Sequence, residues 1–175
     1  MACNIALLGS RNAGKTTFLN RCNDGQFYQA YHRTNNQGTV TFDYKTTKGS
    51  VKLAVSDYPG CFSSLQVVGD TQAFIVFTDL TKDLTLVVAD MAAWYQLIRA
   101  SYPKAKIIMV GSKVDLIRHS PRVMKAISTW YWSVRPNDDL VSYYSLSSRS
   151  NYNLEKPFLE IMRWSQDDAS LNHLY

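Results

Sequence analysis

The run Gly9-Ser10-Arg11-Asn12-Ala13-Gly14-Lys15-Thr16 has the form G-x-x-x-x-G-K-[ST]. That pattern of types is suited to gripping a polyphosphate. A glycine loop can wrap phosphate oxygens with backbone N–H groups, here those of Arg11, Asn12, Ala13, Gly14 and the residues that open the helix, Lys15, Thr16 and Thr17. Lys15 can reach the outer phosphates and the Thr16 hydroxyl can ligate Mg²⁺. The motif works only between a strand and a helix. The apolar run Ile5-Ala6-Leu7-Leu8 precedes it, and the helix-compatible Thr17-Phe18-Leu19-Asn20-Arg21 follows. A nucleoside triphosphate is the expected ligand.

Three further groups of residues stand at the ends of apolar runs. Asp57-Tyr58-Pro59-Gly60 follows Val51–Val55. Asp57 there can hold Mg²⁺, usually through water, and the Gly60 N–H can meet the terminal phosphate. Ser112-Lys113-Val114-Asp115 follows Ile107–Val110. An Asp115 carboxylate can accept from guanine N1–H and its exocyclic amine; adenine offers no such donor pair, so a carboxylate left unpaired would cost on the order of 1–3 kcal/mol. The Lys113 stem can lie along the base, and the N–H groups of Ser147-Ser148-Arg149, after Leu140–Leu146, can bind the guanine O6. Each short run alone reads as a polar loop. In this order, all at strand ends, they point to one guanine-nucleotide site.

The elements that must position these residues alternate. Strands are expected at Cys3–Leu8, Thr39–Thr46, Val51–Val55, Ala73–Phe77, Ile107–Val110 and Leu140–Leu146. Helices are expected at Lys15–Cys22, Leu84–Ala100 (Leu84, Val87 or Val88, Met91, Tyr95 and Ile98 inward), Pro121–Trp132 and Leu154–Trp164. Lys48-Gly49 reads as a hairpin turn. Continuous apolar strands separated by helices imply an α/β fold: a mostly parallel six-stranded sheet with one antiparallel edge strand and helices on both faces. Ligands of such sheets sit at the carboxyl ends of the strands.

Composition narrows the class. The chain has 175 residues, 46% apolar and 19% charged, as expected for one globular domain spanning residues 1–175, with a core of about 3–165 and a short tail. No apolar run is long enough to span a bilayer. A loop starting at residue 9 leaves no room for a signal peptide, and Ala2 and the lack of cysteine beyond Cys61 argue against a lipid anchor. Three cysteines without metal-ligand spacing suggest reduced thiols, hence cytoplasm and nucleus. A formal charge of +5 reads as a mixed solvated surface, so no nucleic-acid partner is expected.

Taken together, the motifs resemble those of Ras-superfamily small GTPases over nearly the whole chain. Within that superfamily the Ran branch is most similar, through Gly14-Lys15-Thr16-Thr17-Phe18, Lys113-Val114-Asp115 and the run Ser150-Asn151-Tyr152-Asn153-Leu154-Glu155-Lys156-Pro157-Phe158. The resemblance implies GTP/GDP and Mg²⁺ as cofactors, with protein effectors or nuclear-transport receptors as partners of a monomer. It puts Thr34 at the Mg²⁺-ligating threonine of the first switch and Phe27 at the aromatic beside the guanine.

Departures from that pattern bear on mechanism. Cys61 stands at the position of the catalytic glutamine, and a thiol is a poor orienter of water. Arg11 occupies a loop position that is small in most active members; it either crowds the attacking water or supplies charge to the γ-phosphate in cis, and obstruction is the favoured reading. Ser112 replaces an asparagine and forfeits base-side hydrogen bonds, Pro59 stiffens the second switch, and Asn36 replaces a glycine. The expected activity is slow GTP hydrolysis. The alternatives are a non-cycling scaffold or decoy for Ran partners and, more remotely, another phosphate-loop enzyme such as a small-molecule kinase.

Overall fold

The apolar run before the glycine loop forms a strand, β1 (Cys3–Gly9), in the computed structural model, which describes residues 2–27, 34–60, 70–117 and 120–174. There follow α1 (Lys15–Asp24), β2 (Gly38–Thr46), β3 (Gly49–Asp57), β4 (Ala73–Asp79), α2 (Leu84–Ser101), β5 (Lys106–Ser112), α3 (Pro121–Val134), β6 (Val141–Ser145) and α4 (Lys156–Ser165). Short 3₁₀ turns at Val114–Leu116 and Arg135–Asn137 carry no sequence signal read above. The strands form one sheet in the order β2-β3-β1-β4-β5-β6. Only β2 runs antiparallel, at the edge, joined to β3 by a hairpin whose turn is Thr47-Lys48, one residue earlier than the expected Lys48-Gly49, because Gly49 already pairs with Thr46. The expected α/β architecture is therefore observed.

Alternation along the strands decides which helix lies where. Ile5, Leu7, Ile75, Phe77, Ile108 and Val110 point to one face, against Phe18 of α1 and Phe158 of α4. Ala6, Leu8, Phe74, Val76, Ile107 and Met109 point to the other, against Val87 and Met91 of α2 and Ile127 of α3. Since β4 and β5 are buried on both faces, their sequence shows a continuous apolar run rather than alternation.

A boundary and an inward position differ from the sequence reading for physical reasons. Asn153 sits in the left-handed region at φ 58°, so the chain turns there and α4 begins only at Lys156, with Pro157 in its first turn. In α2 the buried residue between Met91 and Ile98 is Trp94, not Tyr95, whose hydroxyl instead bonds Asp138 Oδ2 at 3.1 Å. The segment after α4 returns to the edge strand. Thr47 N–H donates to Asn172 O at 2.9 Å, Leu174 N–H donates to Lys45 O at 3.1 Å, and Leu171 is buried beneath. This covers part of an edge that would otherwise present unpaired backbone groups.

One ion pair joins β5, β6 and α4. Lys106 Nζ lies 2.9 Å from Glu160 Oε1, which also accepts from Ser142 Oγ at 2.9 Å, and Tyr144 OH donates to Oε2 at 3.3 Å. Burial works against the Glu160 charge, but the Lys106 ammonium and the two hydroxyls outweigh it and hold its carboxyl below the usual range. A depressed folded pKa stabilises above the ordinary carboxylate value and loses that contribution as pH falls through the folded one. With the Lys106 side chain only 6% exposed, Glu160→Ala leaves a buried cation uncompensated. Urea unfolding at pH 7 is expected to show a loss of about 3–5 kcal/mol. The gap should narrow below about pH 4. A loss below about 1 kcal/mol at pH 7 would mean that solvent already screens the pair.

Candidate functional site

The chain leaves β1 at Gly9, whose φ is +125°. A methyl group there would lie 2.1 Å from the Phe77 carbonyl oxygen of β4, so only glycine passes. The loop then turns through Asn12 (φ 59°) and Gly14 (φ 90°), and Gly14 caps α1. Arg11 and Asn12 are exposed, and Ala13 is buried under the loop. Lys15 is 6% exposed, and its ammonium donates to Gly9 O at 2.8 Å and Ser10 O at 3.2 Å, which aims it back over the loop. Strand, glycine loop and helix thus occur in the order the motif requires, with the α1 N-terminus behind the loop.

Three residues far apart in sequence meet beside this loop. The Thr16 hydroxyl donates to Asp57 Oδ2 and lies 2.9 Å from Thr34 Oγ1. Asp57, which ends β3, is 5% exposed, and its second oxygen, Oδ1, is buried with no hydrogen-bond partner among the described residues. Burial raises the Asp57 carboxyl above its usual range, against the Thr16 hydrogen bond and the Lys15 charge. An orphaned buried carboxylate oxygen beside two hydroxyls is an all-oxygen donor set, and it fits Mg²⁺. No three His, Cys, Asp or Glu side chains converge among the described residues. The remaining ligands would then be water and phosphate oxygens, the ordinary habit of Mg²⁺. A bound dication would reverse the burial effect and keep Asp57 ionised.

The segment after β3 folds against the loop. Tyr58 N–H donates to Leu7 O at 3.2 Å, and a methyl on Gly60 would lie 2.5 Å from the Arg11 nitrogen and 2.7 Å from its Cα. Gly60 therefore sits directly over Ser10–Arg11. Cys61 lies outside the described residues.

At the other end, β5 delivers Ser112-Lys113-Val114-Asp115. Lys113 takes a left-handed conformation (φ 60°), and its ammonium bonds Asp79 Oδ2 at 2.8 Å. Burial opposes the Asp79 charge, but the bonds from Lys113 and from Thr81 prevail and hold the carboxyl low. Asp115 is exposed in the 3₁₀ turn that follows. Leu146 N–H donates to Gly111 O at 2.9 Å and Val114 N–H to Leu146 O at 3.3 Å, so the Ser147-Ser148-Arg149 loop lies alongside. Ser147 N–H is already engaged with Tyr152 O at 3.0 Å. Of the three N–H groups expected to bind the guanine O6, that leaves those of Ser148 and Arg149. Ser112 is 3% exposed and its hydroxyl donates to Thr78 O at 3.1 Å, into the sheet end rather than outward. Phe27, just past α1, is 36% exposed.

Most of the residues singled out from sequence are thus gathered along one edge, at the carboxyl ends of β1, β3, β5 and β6. Sequence reading missed Asp79 and Asp90. Asp79 holds Lys113, and Asp90, in α2, accepts from Ser10 Oγ at 2.6 Å. The one available signal for Asp79 was an acidic residue closing an otherwise apolar strand.

A mostly parallel α/β sheet, with a glycine loop between its central strand and a helix, and an all-oxygen cation set beside that loop, defines a phosphate-loop nucleotide-binding domain. A model of the Ras family matches residues 4–167. The chain belongs to that family: it is a small GTPase, a nucleotide-binding switch. Ras-family GTPases bind GTP or GDP with Mg²⁺ and hydrolyse GTP.

The contact of Gly60 with Arg11 is backbone against backbone, so no side-chain rotation relieves an added methyl. Gly60→Ala should part the two segments and raise amide exchange at Arg11 and Asn12 by about tenfold or more, with the sheet-centre amides of β4 unchanged. Equal protection in both proteins would show that the segment does not rest on the loop in solution.

Proposed function

We propose that this protein is a guanine-nucleotide switch of the Ran type that binds GTP or GDP with Mg²⁺ and hydrolyses GTP slowly. The convergence of Thr16, Thr34 and the half-unpaired Asp57 beside the phosphate loop carries the reading. In it, Arg11, Asn12, Ala13, Gly14, Lys15, Thr16 and Thr17 hold the phosphates, Gly60 meets the terminal one, and Thr16, Thr34 and Asp57 hold Mg²⁺. Asp115, Lys113, Phe27 and the N–H groups of Ser148 and Arg149 take the guanine. The bound ion would screen phosphate charge, and Lys15 would neutralise the rest.

Slow turnover follows from Cys61 and Arg11. Phosphoryl transfer depends on positioning and charge stabilisation, and a thiol offers only a weak donor and acceptor where water must be oriented. The Ran assignment rests on the run from Ser150 to Phe158. Two of its asparagines serve local turns: Asn151 (φ 61°) accepts from Arg21 Nε, and Asn153 donates from Nδ2 to Ser145 O at 2.9 Å. In this reading the protein works as a monomer in cytoplasm and nucleus, and its triphosphate form recruits effectors or nuclear-transport receptors. The inward turn of the Ser112 hydroxyl favours a second reading, a non-cycling scaffold with weakened base affinity.

Single-turnover hydrolysis of GTP separates the two. Cys61→Gln should accelerate the step by about 10²-fold, since removal of one group aimed at the transition state typically costs that much. GTP, but not ATP, should compete for the site. If wild type already matches the variant, turnover is not limited by Cys61. If neither GTP nor GDP binds, the scaffold reading replaces the switch.

A further inference from the structure

One contact ties the phosphate loop to α2, a helix that carries none of the residues read as nucleotide or Mg²⁺ ligands. Ser10 Oγ donates to Asp90 Oδ2 at 2.6 Å across 80 residues of sequence. That length is typical of a hydroxyl bonded to an ionised carboxylate. Ser10 is neither a glycine nor the lysine of the motif, and Asp90 is the only acidic residue in α2. Three constraints meet at the Ser10–Arg11 peptide. The Ser10 carbonyl accepts from Lys15 Nζ at 3.2 Å. Its carbonyl carbon would lie 2.8 Å from a methyl on Gly60, with the Arg11 nitrogen closer still. The Ser10 side chain is held by Asp90.

We propose that Asp90 is a positioning residue for the terminal-phosphate end of the site. Its carboxylate fixes the Ser10 hydroxyl, which keeps the Ser10–Arg11 peptide at the height where Gly60 can close over it. The inference rests on the nucleotide reading above and extends it to a residue outside the loops. It also predicts selectivity. The N–H groups from Gly14 onward belong to the α1 N-terminus and do not depend on the Ser10 tether. In the nucleotide reading Gly60 also meets the terminal phosphate, which only a triphosphate carries. Loss of the tether therefore weakens triphosphate retention more than diphosphate retention.

Electrostatics alone predicts the opposite sign. A carboxylate near phosphates repels them, so deleting one for charge reasons would tighten triphosphate binding. The neutral isostere resolves the two. Asp90→Asn keeps an acceptor for the Ser10 hydroxyl and drops the charge.

The test measures dissociation of fluorescent non-hydrolysable GTP and of fluorescent GDP, at fixed Mg²⁺, from the full chain. Asp90→Ala and Ser10→Ala are each expected to speed triphosphate release by about tenfold, as for one lost charge-assisted hydrogen bond, and GDP release by less than about threefold. Asp90→Asn should restore most of the triphosphate lifetime. The double variant should be no worse than either single one, because both remove the same contact. Ser10→Ala removes only one surface-loop hydroxyl, so it serves if Asp90→Ala fails to fold. Equal acceleration for both nucleotides, additive effects, or slower triphosphate release in Asp90→Ala would overturn the proposal. Wild type that binds neither nucleotide would overturn the nucleotide reading, and this inference with it.

Discussion

Everything at the site depends on one close approach. Where β1 ends, its backbone passes the Phe77 carbonyl of β4 with space for a hydrogen and nothing more. That passage at Gly9 lets the chain leave the middle of the sheet, turn over the strand ends and re-enter as α1. The Lys15 ammonium, the Ser10 tether to α2 and the seat for Gly60 all lie within the next few residues. A side chain at Gly9 would push β1 from β4 and disturb all three at once, because packed interiors yield little.

The charges around this turn are arranged by the same geometry. Parallel strands end together, so each carries its last side chain to a common rim. Asp57, Asp79 and Ser112 close β3, β4 and β5 there. Their partners differ, and so do their states. Asp79 is bonded to an ammonium, which holds its carboxyl below the usual range against burial. Asp57 has one hydroxyl donor, the nearby Lys15 charge and one oxygen without a partner among the described residues, so burial prevails and its carboxyl rises. Two aspartates at equivalent strand ends thus have opposite electrostatic characters. Asp79 supports the loop after β5, and Asp57 suits a cation.

The residues read as departures from the family pattern leave the fold intact. Arg11 is exposed and its backbone bears the Gly60 contact, so the substitution changes what projects over the loop without changing how the loop is built. Ser112 is smaller than the usual asparagine and closes on the Thr78 carbonyl, which repairs the junction of β4 and β5 locally. Loop positions of this kind tolerate change because the strands beneath them carry the stability.

The sequence by itself determined the elements and the chemical types at the site. Period-two and period-3.6 apolar spacing arises from local geometry, so strands and helices were legible to within a few residues, as was the order in which the motifs fall at strand ends. The Gly-Lys-Thr loop was legible because its chemistry needs particular residue types at particular spacing. Tertiary structure alone decided the partners. Asp90 meets Ser10 through the phase of α2 against the sheet, Asp79 meets Lys113 through the parallel register of β4 and β5, and Trp94 rather than Tyr95 turns inward for the same reason of phase. Residues that meet across 34 or 80 positions leave no periodic trace in a single chain. Their contacts are set by strand register and helix rotation, which only the packed core determines.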